Sequence, residues 1–312
     1  MAWFFVVLGL VTLLLAGDFL VRAAVNLALR LGISALVVSL TVVAFGTSAP
    51  ELLIVLSAMA DDAPGLAMGN IVGSNTANIL LVLGLPALVA GLYTTGFDTK
   101  KVFIFMILAT VLFIILAFMG PFSWWHGGLM LAVLAAILLD QAWTARRVSR
   151  VAVATEDLNG VDTSIPGWKI TLYLLFGLVG LPLGAKVLVV NAEIIAREFG
   201  VPETAIGLTL IAVGTSLPEL ATTTVAAIRR QADVALGNVI GSNMFNLLAI
   251  IGIAALVGPI PVADEFLRFD LWVMLAASFL LIPFVFFGRN ITRIWGVALT
   301  LLYMAYLLAV LL

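Results

Sequence analysis

The sequence predicts an all-α integral membrane protein of ten transmembrane helices, built as two inverted five-helix repeats. Three observations carry that prediction. The composition is 63% apolar and 10% charged, against about half and a quarter in soluble domains. Ten apolar segments of spanning length follow one another along the chain. The sequence also repeats itself, polar motif for polar motif, across an odd number of those segments.

Composition excludes several classes. Net charge is −2 and the basic residues form no patch, so nucleic acid is not expected as a partner. The absence of cysteine excludes disulfide frameworks, thiolate metal sites and cysteine nucleophiles. The single histidine, His126, has no second imidazole with which to hold zinc. It reads as an interfacial side chain beside Trp124 and Trp125. Met1-Ala2-Trp3 puts no basic segment before the first apolar run, which reads as a first span rather than a cleaved signal peptide.

A helix needs about 20 mostly apolar residues to cross a bilayer. Such segments lie near 3–21, 33–60, 66–91, 102–120, 124–143, 170–190, 204–228, 233–257, 268–287 and 291–311. Charged or turn-rich stretches part them, among them Asp61-Asp62, Asp98 to Lys101 and Arg289 to Arg293. The longest polar stretch, 144–167, carries Arg146, Arg147, Arg150, Glu156, Asp157 and Asp162 and is too short for a domain. It reads as a cytoplasmic linker between a first half, 1–143, and a second half, 168–312. Loops 1–2, 3–4, 5–6, 7–8 and 9–10 hold twelve Lys and Arg residues and the other side holds three, Lys186, Arg197 and Arg268. Basic loops stay in the cytoplasm. Those five loops are therefore expected inside a plasma (inner) membrane, with both termini outside.

Shifted by 168 residues, 41–84 overlays 209–252 without a gap, with 18 of 44 positions identical. The identities are not generic apolar ones. Gly46, Thr47, Ser48, Pro50 and Glu51 recur as Gly214, Thr215, Ser216, Pro218 and Glu219. Gly69, Asn70, Gly73, Ser74, Asn75 and Asn78 recur as Gly237, Asn238, Gly241, Ser242, Asn243 and Asn246. Five spans per unit make the second unit enter the membrane upside down, the usual architecture of secondary transporters.

Glu51 and Glu219 fall near the middle of their spans, where a carboxylate is expensive and marks function. Pro50 and Pro218 break the helical ladder just before them. Non-helical backbone at that depth is tolerated only where it lines a cavity or is buried in protein, so the carbonyls of Ala44 and Ala212 are candidate ligands. Ser74 and Asn78, four apart, share a helix face, as do Ser242 and Asn246. The spacing of Gly69/Gly73 and of Gly237/Gly241 lets helices approach closely. The resulting pocket offers carboxylates, amides, hydroxyls and carbonyls, with neither imidazole nor sulfur. Oxygen-only sites suit hard cations, and a flexible many-oxygen cage suits calcium better than magnesium. Sodium uses the same ligands.

The paired Gly-Thr-Ser-x-Pro-Glu and Gly-Ser-Asn-x-x-Asn motifs resemble the α-repeats of the calcium/cation antiporter superfamily, and most of all its prokaryotic sodium/calcium exchangers. The motifs cover about a quarter of the chain. The resemblance implies an antiporter that works by alternating access, with the first and sixth spans sliding past a fixed core. Calcium and sodium would be the transported ions, with no cofactor and no obligate protein partner beyond the lipid bilayer. It implies cation ligands at Thr47, Ser48, Glu51, Ser74 and Asn78 and at Thr215, Ser216, Glu219, Ser242 and Asn246, with backbone help from Ala44 and Ala212. Some relatives, including potassium-dependent exchangers, carry Asp where this chain has Asn246, which argues against potassium co-transport. The 144–167 linker also has no room for the calcium-sensing domains of eukaryotic relatives. A proton-coupled calcium antiporter is the alternative within transport. A channel fits a single buried site between inverted repeats poorly. For an enzyme, no acid, base and nucleophile come together outside the cation motifs.

Overall fold

The computed structural model describes residues 1–93, 99–148, 165–200 and 212–311. The first half contains α1 (Ala2–Leu31), α2 (Ala35–Thr47), α3 (Ala49–Ala60), α4 (Pro64–Ala90), α5 (Lys100–Phe118) and α6 (Trp124–Val148). The second contains α7 (Gly167–Glu198), α8 (Ala212–Thr215), α9 (Leu217–Ile228), α10 (Ala232–Val257), α11 (Phe266–Phe286) and α12 (Arg293–Leu311). Eight of these helices are long and apolar enough to cross a membrane, and the bent pair α2–α3 makes a ninth. The matching pair α8–α9 is described only from Ala212 on. Its expected start at 204–211 lies outside the described residues, as do Asp98, Arg150, Glu156, Asp157 and Asp162.

Two helices outrun the spans expected for them. α1 continues to Leu31 and ends at Gly32, whose left-handed φ of 65° closes it. The charged residues do not stop it, because Arg22 pairs with Asp18 one turn back at 2.9 Å. α7 likewise carries Lys186, Glu193 and Arg197, and the last two pair at 2.8 Å. His126 lies beside Trp125 at the start of α6, as expected, and is buried there. Its ring lies 3.5 Å from that of Trp125, it is 3% exposed, and its Nδ1 accepts the Ser123 N–H at 3.0 Å at the start of α6.

The halves are related by a two-fold exchange that can be followed atom by atom. A Cβ on Gly9 would lie 2.7 Å from the Leu188 nitrogen and 2.9 Å from the Gly184 oxygen. A Cβ on Gly177 would lie 2.7 Å from Leu20 Cβ and 3.2 Å from the Ala16 oxygen. A shift of 168 residues turns Gly9, Leu188 and Gly184 into Gly177, Leu20 and Ala16, so each contact is the image of the other. The same operation relates two isolated backbone bridges, Leu92 with Ile291 and Ile260 with Phe122, the shift having grown to 169 by the last helix of each half. α1 and α7 run antiparallel through these contacts, which is the inverted relation. Centrality also differs among elements. In their most apolar stretch α4 and α10 are 83% and 89% buried, against 33% and 22% for α1 and α7. α4 and α10 form the centre, and the long pair lies outside them.

Candidate cation site

The site begins at two matched breaks. α2 turns by 40° into α3, and the residue between them, Ser48, has φ −84° and ψ 3°. Ser216, between α8 and α9, has φ −84° and ψ 5°. Pro50 and Pro218 fall at the first positions of the new helices, where a missing N–H costs nothing. Glu51 and Glu219 follow in the first turns, where the unpaired N–H groups favour negative charge. The repeated sequence thus builds the same corner twice.

The central helices supply the other walls. α10 crosses α2 at its glycines. A Cβ on Gly237 would stand 2.8 Å from the Leu36 carbonyl oxygen, and one on Gly241 would stand 2.5 Å from that of Leu40. The matching partners of Gly69 and Gly73 fall at positions 204 and 208, outside the described residues. Asn246 sits in a π-helical stretch, Phe245–Ile250, and another, Ser39–Val43, precedes Ala44. Such wide turns recur at functional sites.

The ten side chains expected as ligands all lie in the interior, each 5% exposed or less, and several of them touch. The Ser48 hydroxyl donates to Glu219 Oε1 at 3.3 Å, and Ser242 donates to the same oxygen at 3.4 Å. Thr47 and Ser242 hydroxyls lie 3.4 Å apart, and the image pair, Thr215 and Ser74, lies 3.3 Å apart. Asn78 Nδ2 donates to Asn243 Oδ1 at 3.0 Å. Glu51 is wholly buried and within electrostatic reach of Glu219. Ala44 is engaged, its carbonyl accepting from the Ser48 N–H at 3.0 Å and from the Thr47 hydroxyl at 3.3 Å. Ala212 is the first residue of α8.

Two further asparagines of the repeat, Asn238 and Asn243, also brace the site, a role not assigned to them from sequence. Asn238 Oδ1 accepts from Thr47 at 3.2 Å, and its Nδ2 donates to Thr223 at 3.2 Å and to the Glu219 carbonyl at 3.4 Å. Asn243 Nδ2 donates to the Asn75 carbonyl at 3.3 Å. Asn75 and Asn243 are each other's image, so this pair lies on the two-fold relation itself. Asn70, the image of Asn238, is buried with neither end bonded. Their recurrence at the same shift was the available signal.

Several buried polar atoms have no protein partner: both oxygens of Glu51, Glu219 Oε2, Ser216 Oγ, Asn78 Oδ1 and both ends of Asn246. Native interiors leave few such atoms, and each asks for an explanation. Here most of them are oxygens around two carboxylates, the donor set that a hard cation requires. No cluster of three or more His, Cys, Asp or Glu occurs among the described residues. The unpartnered donors are therefore mostly neutral oxygens, and fewer charged ligands make for weaker cation binding.

Two inverted halves with one polar centre buried between them define a membrane transporter of the inverted-repeat class, not an enzyme. The family model described as "Sodium/calcium exchanger protein" matches residues 1–143 and 169–312, and the chain belongs to that family. It is 36% identical over 310 residues to the "Putative antiporter CaxA" of Alkalimonas amylolytica, covering 98% of this chain and 97% of that one. It is 34% identical to the "Sodium/calcium exchanger MaX1" of Methanosarcina acetivorans, covering 96% and 95%. Among solved structures, the sodium-calcium exchanger NCX_Mj soaked with zero Na+ and Ca2+ superposes with a TM-score of 0.83 at 31% identity, over 99% of this chain and 98% of that one.

Proposed function

We propose that the protein exchanges calcium for sodium across the plasma membrane by alternating access, exports calcium and moves net charge in each cycle. One observation carries the reading: two wholly buried carboxylates, one from each half, lie within electrostatic reach of each other, beside neutral oxygens that lack protein partners. The ions bind at Thr47, Ser48, Glu51, Ser74 and Asn78 and at their images Thr215, Ser216, Glu219, Ser242 and Asn246, helped by the carbonyls of Ala44 and Ala212. With both glutamates ionised the site carries −2, which one calcium ion balances. Two sodium ions do the same, and a third makes the sodium-loaded form positive. A negative cell interior then favours inward sodium movement and outward calcium movement. The five basic loops face the cytoplasm and both termini face out, with 144–167 linking halves 1–143 and 168–312 inside.

The test is calcium uptake by vesicles holding the purified protein. Uptake driven by an outward sodium gradient at equal pH on both sides is expected. Uptake that ignores sodium and follows a proton gradient would replace sodium by protons as the coupling ion.

A further inference from the structure

One contact of the peripheral pair has no image in this conformation. Asp18 of α1 binds the guanidinium of Arg229, the residue that ends α9, through both Nε and Nη2. Beside it α1 lies directly on α9. A Cβ on Gly17 would stand 3.2 Å from the Ala221 carbonyl oxygen, and Ala221 is 6% exposed. The shift of 168 residues turns Asp18 into Lys186 and Arg229 into Asp61. Both charges reverse, so the attraction is preserved. Asp61 ends α3 as Arg229 ends α9. The next residues, Asp62 and Arg230, share a left-handed backbone, with φ of 54° and 58°.

The image contact is open. Lys186 and Asp61 are exposed and make no ion pair among the described residues. Leu53, the image of the covered Ala221, is 67% exposed. It borders a groove of about 250 Å³ on α3, lined also by Ser57, Asp61 and Leu66. The groove occupies on α3 the position that α1 fills on α9.

We propose that Asp61 and Lys186 are the second of two alternating ion-pair latches. Asp18–Arg229 holds the conformation described here, with α1 against α9. Asp61–Lys186 holds the opposite one, with α7 seated in the groove of α3. The inference rests on the alternating-access reading, because exchanging the conformations of the two repeats is what creates the second pair. The latches are unequal. Asp18 is also held by Arg22 at 2.9 Å, whereas the image of Arg22 is Val190, so Lys186 has no such neighbour. These four residues position the long helices and touch no ion.

The chain has no cysteine, which makes cross-linking direct. Asp61→Cys with Lys186→Cys, in vesicles given sodium on one side and calcium on the other, should be joined by a short bifunctional thiol reagent, and joining should stop exchange. Asp18→Cys with Arg229→Cys should behave likewise. Independently, Lys186→Asp should slow exchange by about two- to fivefold, the range of an exposed ion pair. Adding Asp61→Lys should restore it, which a merely structural role for either side chain would not allow. Wild-type protein that exchanges normally, with 61 and 186 never joined and no rescue by the charge swap, would overturn the latch and leave the exchange reading standing. Joining of 61 to 186 in protein that shows no sodium-dependent calcium flux even before the reagent is added, in the wild type as in the variant, would uphold the latch and overturn the exchange reading.

Discussion

Glu219 accepts hydrogen bonds from Ser48 and Ser242, Asn238 is bonded at both ends, and α1 covers α9 at Ala221. In the other half Glu51 has no hydrogen-bond partner, Asn70 is bonded at neither end, and α3 lies bare at Leu53. Yet Ser48, Glu51 and Asn70 recur identically as Ser216, Glu219 and Asn238. Identical side chains in different surroundings mean that the difference belongs to the conformation and not to the composition. The two halves thus hold two different packings of one repeated unit, one closed over at Ala221 and one open at Leu53.

The strongest way to break that comparison is to remove one carboxylate at a time. Glu51→Gln and Glu219→Gln should each abolish exchange while leaving the protein folded, although only Glu219 is hydrogen-bonded here. Opposite unit charges 4 Å apart at an effective dielectric of 20 attract by about 4 kcal/mol, roughly a thousandfold in affinity. Calcium flux and a detergent melting curve read both effects, and near wild-type flux in either folded variant would remove that glutamate from the site. A potassium/valinomycin potential comes next. One charge crossing 100 mV is worth about 2.3 kcal/mol, so calcium flux at fixed sodium gradient and pH should change with the sign of the potential. Indifference to voltage would mean that the halves together carry less charge than two carboxylates.

Gly241→Ala should cost about 1–3 kcal/mol of stability and impair exchange. Its Cβ would meet the Leu40 carbonyl at 2.5 Å and Ala44 Cβ at 2.6 Å, and backbone there cannot yield as a side-chain tip can. Thermal unfolding of the purified variant checks it. Asn246→Asp should alter ion dependence more than melting temperature, because the third carboxylate would take up a proton or a further monovalent cation. Wild type should need no potassium, and flux assays with and without it decide the point. Least of all, Ser48→Ala should destabilise by about 1–2 kcal/mol through loss of a bond to Glu219, while Ser216→Ala, whose hydroxyl is unbonded, should leave the melting temperature unchanged. Equal melting shifts for the two serines would mean that the halves are alike in solution.

The inverted repeat and the burial of ten polar side chains were readable because polar residues inside apolar segments have so few reasons to be there. The break at Ser48 followed from Pro50, and the burial of Glu51 and Glu219 from their depth. Other features were not readable by the same logic. A charged residue predicts the end of a span, so the first span reads as closing at 21, before Arg22, although pairing of Arg22 with Asp18 keeps α1 helical to Leu31. The image relation of α1 and α7 was present in the sequence, since Gly9, Leu10 and Val11 recur as Gly177, Leu178 and Val179. Scattered apolar identities of this kind do not stand out from chance between two membrane helices. The open and closed halves could not be read at all, because a sequence that repeats itself encodes both arrangements for both halves.

The glycine contacts between α1 and α7 bear on leakage. Gly9, Gly177 and Gly184 bring the two backbones together so closely that no side chain intervenes. Surfaces matched in this way slide or tilt together, but they separate only by giving up all their packing at once. In an alternating cycle, α1 cannot leave α9 while α7 stays where it is. On the alternating-access reading proposed above, this coupling is what would keep both faces of the membrane from opening together, and it would rest on the missing methyl groups of Gly9, Gly177, Gly180 and Gly184.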